Sequence, residues 1–380
     1  MKKKIAIIGA NNFQNRLILK AKELGFETHV FAWECGDIGE STADFFYPIS
    51  IIEKDRILDE CKKIRPVAVV SIGSDLAVLT VNYVSRALKL FANSEESDYM
   101  STNKYEMRKA LQRAGIPVPH FVKITSEEEY KCLGEFSYPV IVKPTDRSGS
   151  RAITKVEKQE EIGLAVRNAV SESFEHAAIA EEFIRGKEYS CECISFEGEH
   201  HLLAFTEKFT TGAPHYIEIG HIQPANIPNE LQDGIKEKIF AALDALQIKN
   251  GATHTEFKID SEGNWGIIEI GARMGGDCIG SDLVPLSTGN DYMKMVIDVA
   301  SGKPPVILES RSRIYAGIRF IMKEDDLRIL EKAQKVLDII YISEIDNGFN
   351  TQVSDSSNRH GFFIAISKRR DQLEKVLFGD

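Results

Sequence analysis

Glu256 and Glu269 stand on either side of a reversal that the sequence marks plainly. Between two alternating runs, 255–259 and 265–270, lies Asp260-Ser261-Glu262-Gly263-Asn264, a cluster that favours local side-chain hydrogen bonds or positive φ. A hairpin is expected. If it reverses on Glu262-Gly263, Asp260 pairs with Trp265 and Glu256 falls opposite Glu269, with Cβ atoms roughly 5 Å apart on one face. Two bare carboxylates at that separation repel by about 3 kcal/mol at an effective dielectric of about 20. A cation between them removes the repulsion, and Mg²⁺, with Mn²⁺ as a substitute, takes one or two carboxylates and completes its shell with phosphate oxygens. The alternative is a register shifted by one, with one of the two glutamates in solvent. The hairpin by itself leaves both readings open.

Basic residues and anion-binding backbone occur upstream. A strand over 139–143 ends in Lys143 and is followed by Thr145-Asp146-Arg147-Ser148-Gly149-Ser150 and a short strand over 152–156. A Gly/Ser loop between strands exposes N–H groups, and flanking cations make it a place for an anion; a plain polar loop is the other reading. Lys104 lies in the first turn of a helix expected over 103–114 and stopped by Gly115-Ile116-Pro117. A strand over 177–184 carries Glu181 and Glu182, and another over 189–195 follows Glu188. The stretch 202–224, with Lys208 and His221, alternates irregularly. An amphipathic helix is expected over 230–246, and a glycine-rich segment, 271–280, holds Arg273.

These groups need a scaffold. Lys4 opens a strand over 4–9, a helix spans 15–24 and a second strand 28–32, which makes a parallel βαβ start. A helix over 55–64, a strand over 67–71 and a helix over 76–88 complete a doubly wound domain. The dinucleotide fingerprint is missing, because Asn11 and Gln14 stand where its second and third glycines would be, and no Gly-x-x-x-x-Gly-Lys-Ser/Thr occurs. The last seventy residues read as an αβ tail with strands over 313–322 and 361–368 and helices over 325–336 and 370–377. A chain of 380 residues exceeds one core. No run of about 18 apolar residues occurs, so a soluble, cytoplasmic protein is expected. The net charge of −10 speaks against a nucleic-acid surface. Six cysteines without Cys-x-x-Cys read as reduced thiols.

Taken in order, Asn103-Lys104, PVIVKPTDRSGS, AEEFIRGKEYS and IIEIGARMGG resemble the ATP-grasp superfamily over about residues 1 to 310. The resemblance implies α/β and α+β architecture: a Rossmann-like domain over 1–100, a small lid subdomain over 101–183, a larger subdomain with the metal site over 184–310 and an αβ extension over 311–380. It implies that ATP is held by Lys104 and Lys143 on its phosphates, by Ser148, Gly149 and Ser150 folding over them, by the Glu181, Glu182, Phe183 and Ile184 strip at adenine, and by Glu188 at ribose. Glu256 and Glu269 would hold Mg²⁺, and Arg273 would meet the transferring phosphoryl or the substrate carboxylate. Two departures are evident. Gly271 replaces an Asn that many relatives place two residues after the second metal glutamate, and Ala152 stands where some keep glycine.

Such a site transfers the γ-phosphoryl group in line without a nucleophilic side chain. The acceptor implied is a carboxylate, giving an acyl phosphate that an amine attacks to form an amide, with ADP and phosphate released. YIEIGHIQPA and IEIGARMGGD resemble the L-amino-acid ligases, which implies small carboxylate and amine substrates, with no nucleic acid or membrane partner and a homodimer as one assembly. His221 would orient the acyl phosphate or the amine, or would be a hydrogen-bonded structural histidine. The alternatives are an enzyme of purine or carbamoyl phosphate type activating formate or bicarbonate, and a nucleotide-binding protein without turnover. No Met-Lys-Met biotin-carrier segment is present.

Overall fold

The computed structural model describes residues 2–126, 136–147, 151–212, 217–309, 314–346, 348–349, 353 and 358–379. Strands β1 (Lys4–Ile8), β2 (Glu27–Ala32), β3 (Phe45–Pro48) and β4 (Ala68–Val70) form a parallel sheet in the order β3-β2-β1-β4. Helices cover both faces, so these strands are apolar almost throughout. Ile5 and Ile7 pack with Leu17 and Ile18, while Ala6 and Ile8 pack with Ile57 and Cys61. Strand order reverses between β1 and β4, where Asn11 and Ser74 cap the helices Asn12–Glu23 and Asp75–Ala87. Doubly wound sheets open a ligand crevice at such a reversal.

A second sheet is small and antiparallel. Its strands β5 (Phe121–Ile124), β6 (Val140–Pro144), β7 (Thr154–Val156) and β8 (Ala178–Glu182) lie in the order β5-β8-β6-β7. Helix Ile162–Glu172, unanticipated from the sequence, covers it with Ile162, Ala165, Val166 and Ala169.

The third sheet joins β9 (Lys187–Phe196), β10 (Glu199–Thr210), β11 (Glu218–Gln223), β12 (Gly251–Ile259), β13 (Trp265–Gly271), β14 (Tyr315–Ile321), β15 (Asp338–Ile342) and β16 (Gly361–Ser367), in the order β13-β12-β9-β10-β11-β14-β16-β15. Because β14 pairs with β11, the tail continues the large sheet. The irregular stretch 202–224 is two strands of that sheet, and its period is broken by bulges at Leu202/Ala204 and Phe209/Thr210. A parallel sheet beside two antiparallel ones is the mixed α/β and α+β architecture expected.

Helix Asn229–Ala245 backs the large sheet with Ile235, Ile239, Ala242 and Leu243 against Cys191, Phe205, Phe257 and Ile267. Helix Lys104–Arg113 begins where the Asn103 side chain accepts the N–H groups of Tyr105 and Glu106, both at 3.1 Å. It stops at Gly115, with φ +69. Met107 and Leu111 anchor it to the core of the large sheet, which leaves Lys104 and Arg108, one turn apart, facing the same region. No helix among the described residues is long and apolar enough to cross a membrane.

Candidate active site

The hairpin β12-β13 sets Glu256 opposite Glu269, as the sequence implied, but by a different route. Near the turn the register is one residue off the expected one: Ile259, and not Asp260, opposes Trp265. Asp260 is drawn into the loop, where its carboxylate accepts from Glu262 N (2.8 Å) and Asn264 N (2.9 Å) and its own N–H reaches Asn264 O (2.9 Å). A bulge between Glu256 and Phe257 restores the pairing and leaves Ile268 out of the ladder. Its carbonyl accepts from Arg108 Nη2 at 2.6 Å.

Each glutamate meets a lysine. Lys208 Nζ lies 2.6 Å from Glu256 Oε1, 3.0 Å from Glu188 and 3.6 Å from Glu218. Burial disfavours its charge, but the three carboxylates outweigh that and raise its pKa well above the usual range. Glu256 also contacts His254 Nε2 at 3.2 Å. Burial alone would raise the Glu256 carboxyl; Lys208 and His254 hold it well below its ordinary value. His254 contacts Glu192, which is fully buried and also accepts Gly275 N at 3.0 Å. The two acids overcome burial and lift His254 to about 9. On the other strand, Glu269 Oε1 lies 2.9 Å from Lys104 Nζ. Among the described residues no third His, Cys, Asp or Glu joins the pair to make a metal cage. Two carboxylates on one face fit a divalent ion that takes its other oxygens from a phosphate ligand.

Lys104 Nζ also donates to Arg147 O at 2.6 Å, tying it to the start of the loop whose Ser148, Gly149 and Ser150 lie outside the described residues. Ala152, at the loop exit, has φ +50, the conformation that glycine adopts without strain. Lys143 on β6 meets Glu181 on β8 at 2.5 Å. Arg108 grips the same carboxylate, Nε to Oε2 at 2.9 Å and Nη2 to Oε1 at 3.3 Å. Burial lowers the Lys143 ammonium, and Glu181 offsets part of the drop. Burial works against the Glu181 anion, yet Arg108 and Lys143 prevail and bring its carboxyl down to about 2. The Glu181 side chain is therefore a counter-ion for Lys143.

In the strip that follows, Glu182 N donates to His120 O at 3.0 Å and Phe183 N to Pro139 O at 3.1 Å. These two amides of the strip expected at adenine are therefore committed within the protein. Phe183 lies under Lys155 and Lys258, with Nζ 4.8 and 4.7 Å from the ring centre. Glu188 shares Lys208 with Glu256, so the residues expected at ribose and at metal sit around one ammonium.

Arg273 is held by Asp75, the first residue of the helix beyond β4. Nε lies 3.0 Å from Oδ1 and Nη2 3.4 Å from Oδ2. Burial opposes both charges, but each partner stabilises the other, and Glu256 and Glu269 further raise Arg273. A Cβ at Gly271 would stand 3.1 Å from Asp75 Oδ1 and 3.3 Å from Arg273 Nε, so a larger residue there would require this pair to shift by a few tenths of an ångström.

His221 is fully buried on β11, and neither ring nitrogen has a hydrogen-bond partner among the described residues. Its Nε2 is 3.6 Å from Asp277 Oδ2, beyond a hydrogen bond. Burial lowers its pKa. Arg359, from the tail, bridges Asp277 (2.9 Å) and Glu218 (3.0 Å) and stacks 3.8 Å over Phe320. The structure thus gathers Lys104, Lys143, Glu181, Glu188, Glu256, Glu269 and Arg273 around the hairpin. It adds Asp75, Arg108, Glu192, Lys208, Asp277 and Arg359, which sequence reasoning did not single out as site residues. Their partners lie far along the chain, and no local spacing announces them.

Residues 136–282 match the family model described as an ATP-grasp domain. Over 275 residues the chain is 28% identical to the alanine-anticapsin ligase of Bacillus subtilis, an alignment covering 63% of this chain and 58% of that protein. It is 30% identical over 188 residues to the D-alanine-D-alanine ligase of Parabacteroides distasonis, covering 46% and 55%. The chain therefore spans less than three fifths of these ligases, 58% and 55% of their length. The crystal structure of an L-amino acid ligase from Bacillus licheniformis superposes with a TM-score of 0.83 at 24% identity, over 98% of this chain and 95% of that one.

Proposed function

We propose that the chain, whose residues 136–282 match an ATP-grasp domain, is a member of the ATP-grasp superfamily and an ATP-dependent ligase joining a small carboxylate, an amino acid or a close relative, to an amine. The observation that carries this reading is the pairing of Glu256 with Glu269 on one hairpin face, with Lys104, Lys208 and Arg273 around it. In the proposal, Lys104 and Lys143 receive the nucleotide phosphates as point charges. The Ile184 amide and the Phe183 ring receive the base, Glu188 the ribose, and Ser148, Gly149 and Ser150 close over the phosphates. Glu256 and Glu269 fit Mg²⁺, which when bound would supply charge neutralisation to the phosphates.

Arg273, locked by Asp75, presents a planar fork to an oxyanion, so it is suited to the transferring phosphoryl group or to the substrate carboxylate. The carboxylate oxygen attacks the γ-phosphorus, ADP leaves, and the acyl phosphate is consumed by the amine with loss of phosphate. His221 stands beside Asp277, with Nε2 3.6 Å from Oδ2. Burial favours its neutral ring, which in this reading orients the acyl phosphate or the incoming amine.

ADP and phosphate release from Mg-ATP, measured with pools of amino acids and separately with formate and bicarbonate, tests this reading. Stimulation by an amino-acid pair supports it. Stimulation by formate or bicarbonate alone would replace it with a one-carbon acceptor, and silence in every pool would leave an acid outside these pools or a nucleotide-binding protein without turnover.

A further inference from the structure

We infer that Arg108 is a positioning residue that sets the candidate phosphate lysine and the candidate metal carboxylate together, linking the small sheet to the hairpin. The inference rests on the nucleotide reading above. Arg108 is 1% exposed, among the largest fully buried side chains. Its guanidinium touches two structures that share no strand. One is the Glu181 carboxylate on β8, which it grips through Nε and Nη2 and which in turn holds Lys143. The other is the carbonyl of Ile268, the residue that the bulge pushes out of the β12-β13 ladder next to Glu269.

Both contacts have the chemistry of placement. Glu181 pairs with Ile141 on β6, and Lys143 lies two residues along that strand. A carboxylate anchored by Arg108 therefore decides where the Lys143 ammonium rests. The bulge brings Glu256 and Glu269 back into opposition after the turn has shifted the register, and a carbonyl displaced from a ladder needs another donor. A rigid planar fork serves a carboxylate and a carbonyl at once, whereas a lysine ammonium serves them as a single point. Stability alone does not explain the residue, because apolar side chains of similar volume commonly replace buried ion pairs without loss. Lys104 lies one turn earlier on the same helix and meets Glu269 itself, so helix Lys104–Arg113 addresses both ends of the site.

Calorimetric titration of the full chain with ADP, with and without Mg²⁺, tests this, using Arg108→Lys and Arg108→Met beside the wild type. In the wild type we expect Mg²⁺ to strengthen ADP binding. In Arg108→Lys we expect Mg-ADP affinity to fall by about tenfold or more and the gain given by Mg²⁺ to shrink, with Arg108→Met worse; the Tm of the ligand-free Arg108→Lys chain should fall modestly, because one of the buried acceptors loses its donor. Should the Arg108 variants fail to fold, Glu181→Gln is expected to weaken ADP while keeping the Mg²⁺ gain. Wild-type binding that Arg108→Lys leaves unaltered, a Mg²⁺ gain intact in Arg108→Lys, or unaltered ADP affinity in Glu181→Gln would overturn the inference and leave the nucleotide reading in place. Absence of ADP binding by the wild type would overturn both.

Discussion

Glu181→Gln keeps the shape of the side chain and removes the charge that balances Lys143 and Arg108. The side chains of Glu181, Lys143 and Arg108 are 6%, 4% and 1% exposed, so water does little to screen what is left. Breaking a buried pair by removing one partner costs about 3–5 kcal/mol. The depression of the carboxyl from 4.5 to about 2 gives a similar figure, roughly 3 kcal/mol at 1.36 kcal/mol per unit. The sign follows from the direction of the shift. A carboxyl depressed in the folded state stabilises fully above its unfolded value and loses that contribution as pH falls through its folded value. Urea denaturation of both proteins should therefore show a gap of about 3 kcal/mol at neutral pH that shrinks below the unfolded value, to roughly half by about pH 3. A gap under about 1 kcal/mol at neutral pH, or one that stays constant into acid, would refute the reasoning. Lys143 also loses the anion that offsets its burial, so nucleotide affinity of the variant should decline at a lower alkaline pH than in wild type.

Three further outcomes are expected. Glu269→Gln should abolish phosphate release with the far-ultraviolet circular dichroism unchanged; near wild-type turnover would remove the metal argument. Asp75→Asn takes the charge partner from Arg273 and should lower kcat/KM by roughly tenfold to a hundredfold, about 1.5–3 kcal/mol; steady-state kinetics with a confirmed substrate pair checks it. Lys208→Met strands Glu188, Glu218 and Glu256 around an uncharged stem, with a stability loss of about 3–5 kcal/mol. Added Mg²⁺ should raise the Tm of that variant more than that of wild type, as thermal denaturation will show.

What the sequence made legible was local. A helix from about 103, Gly115 as its stop and the polar reversal at 260–264 each rest on signals within a few residues of themselves. The opposition of Glu256 and Glu269 was also readable, although the bulge at Ile268 was not. A bulge changes the period by one and leaves the pattern on either side intact, and the same device hid the two strands in 202–224. Helix Ile162–Glu172 was legible but passed over: Ile162, Ala165, Val166 and Ala169 carry the helical period. The charge partners were not. Arg108 and Glu181 are 73 positions apart and Arg273 and Asp75 198, and no spacing rule pairs residues across separate sheets. Gly271, where many relatives place Asn, lies against such a pair.

Whether the carboxylate is phosphorylated decides the proposed reaction most directly. Once a substrate pair has been found, turnover with the carboxylate acid labelled with ¹⁸O, followed by mass spectrometry of products, decides it. One ¹⁸O transferred to released phosphate for each amide formed is the result predicted for an acyl phosphate intermediate. Amide formed with unlabelled phosphate, or AMP in place of ADP, would contradict it.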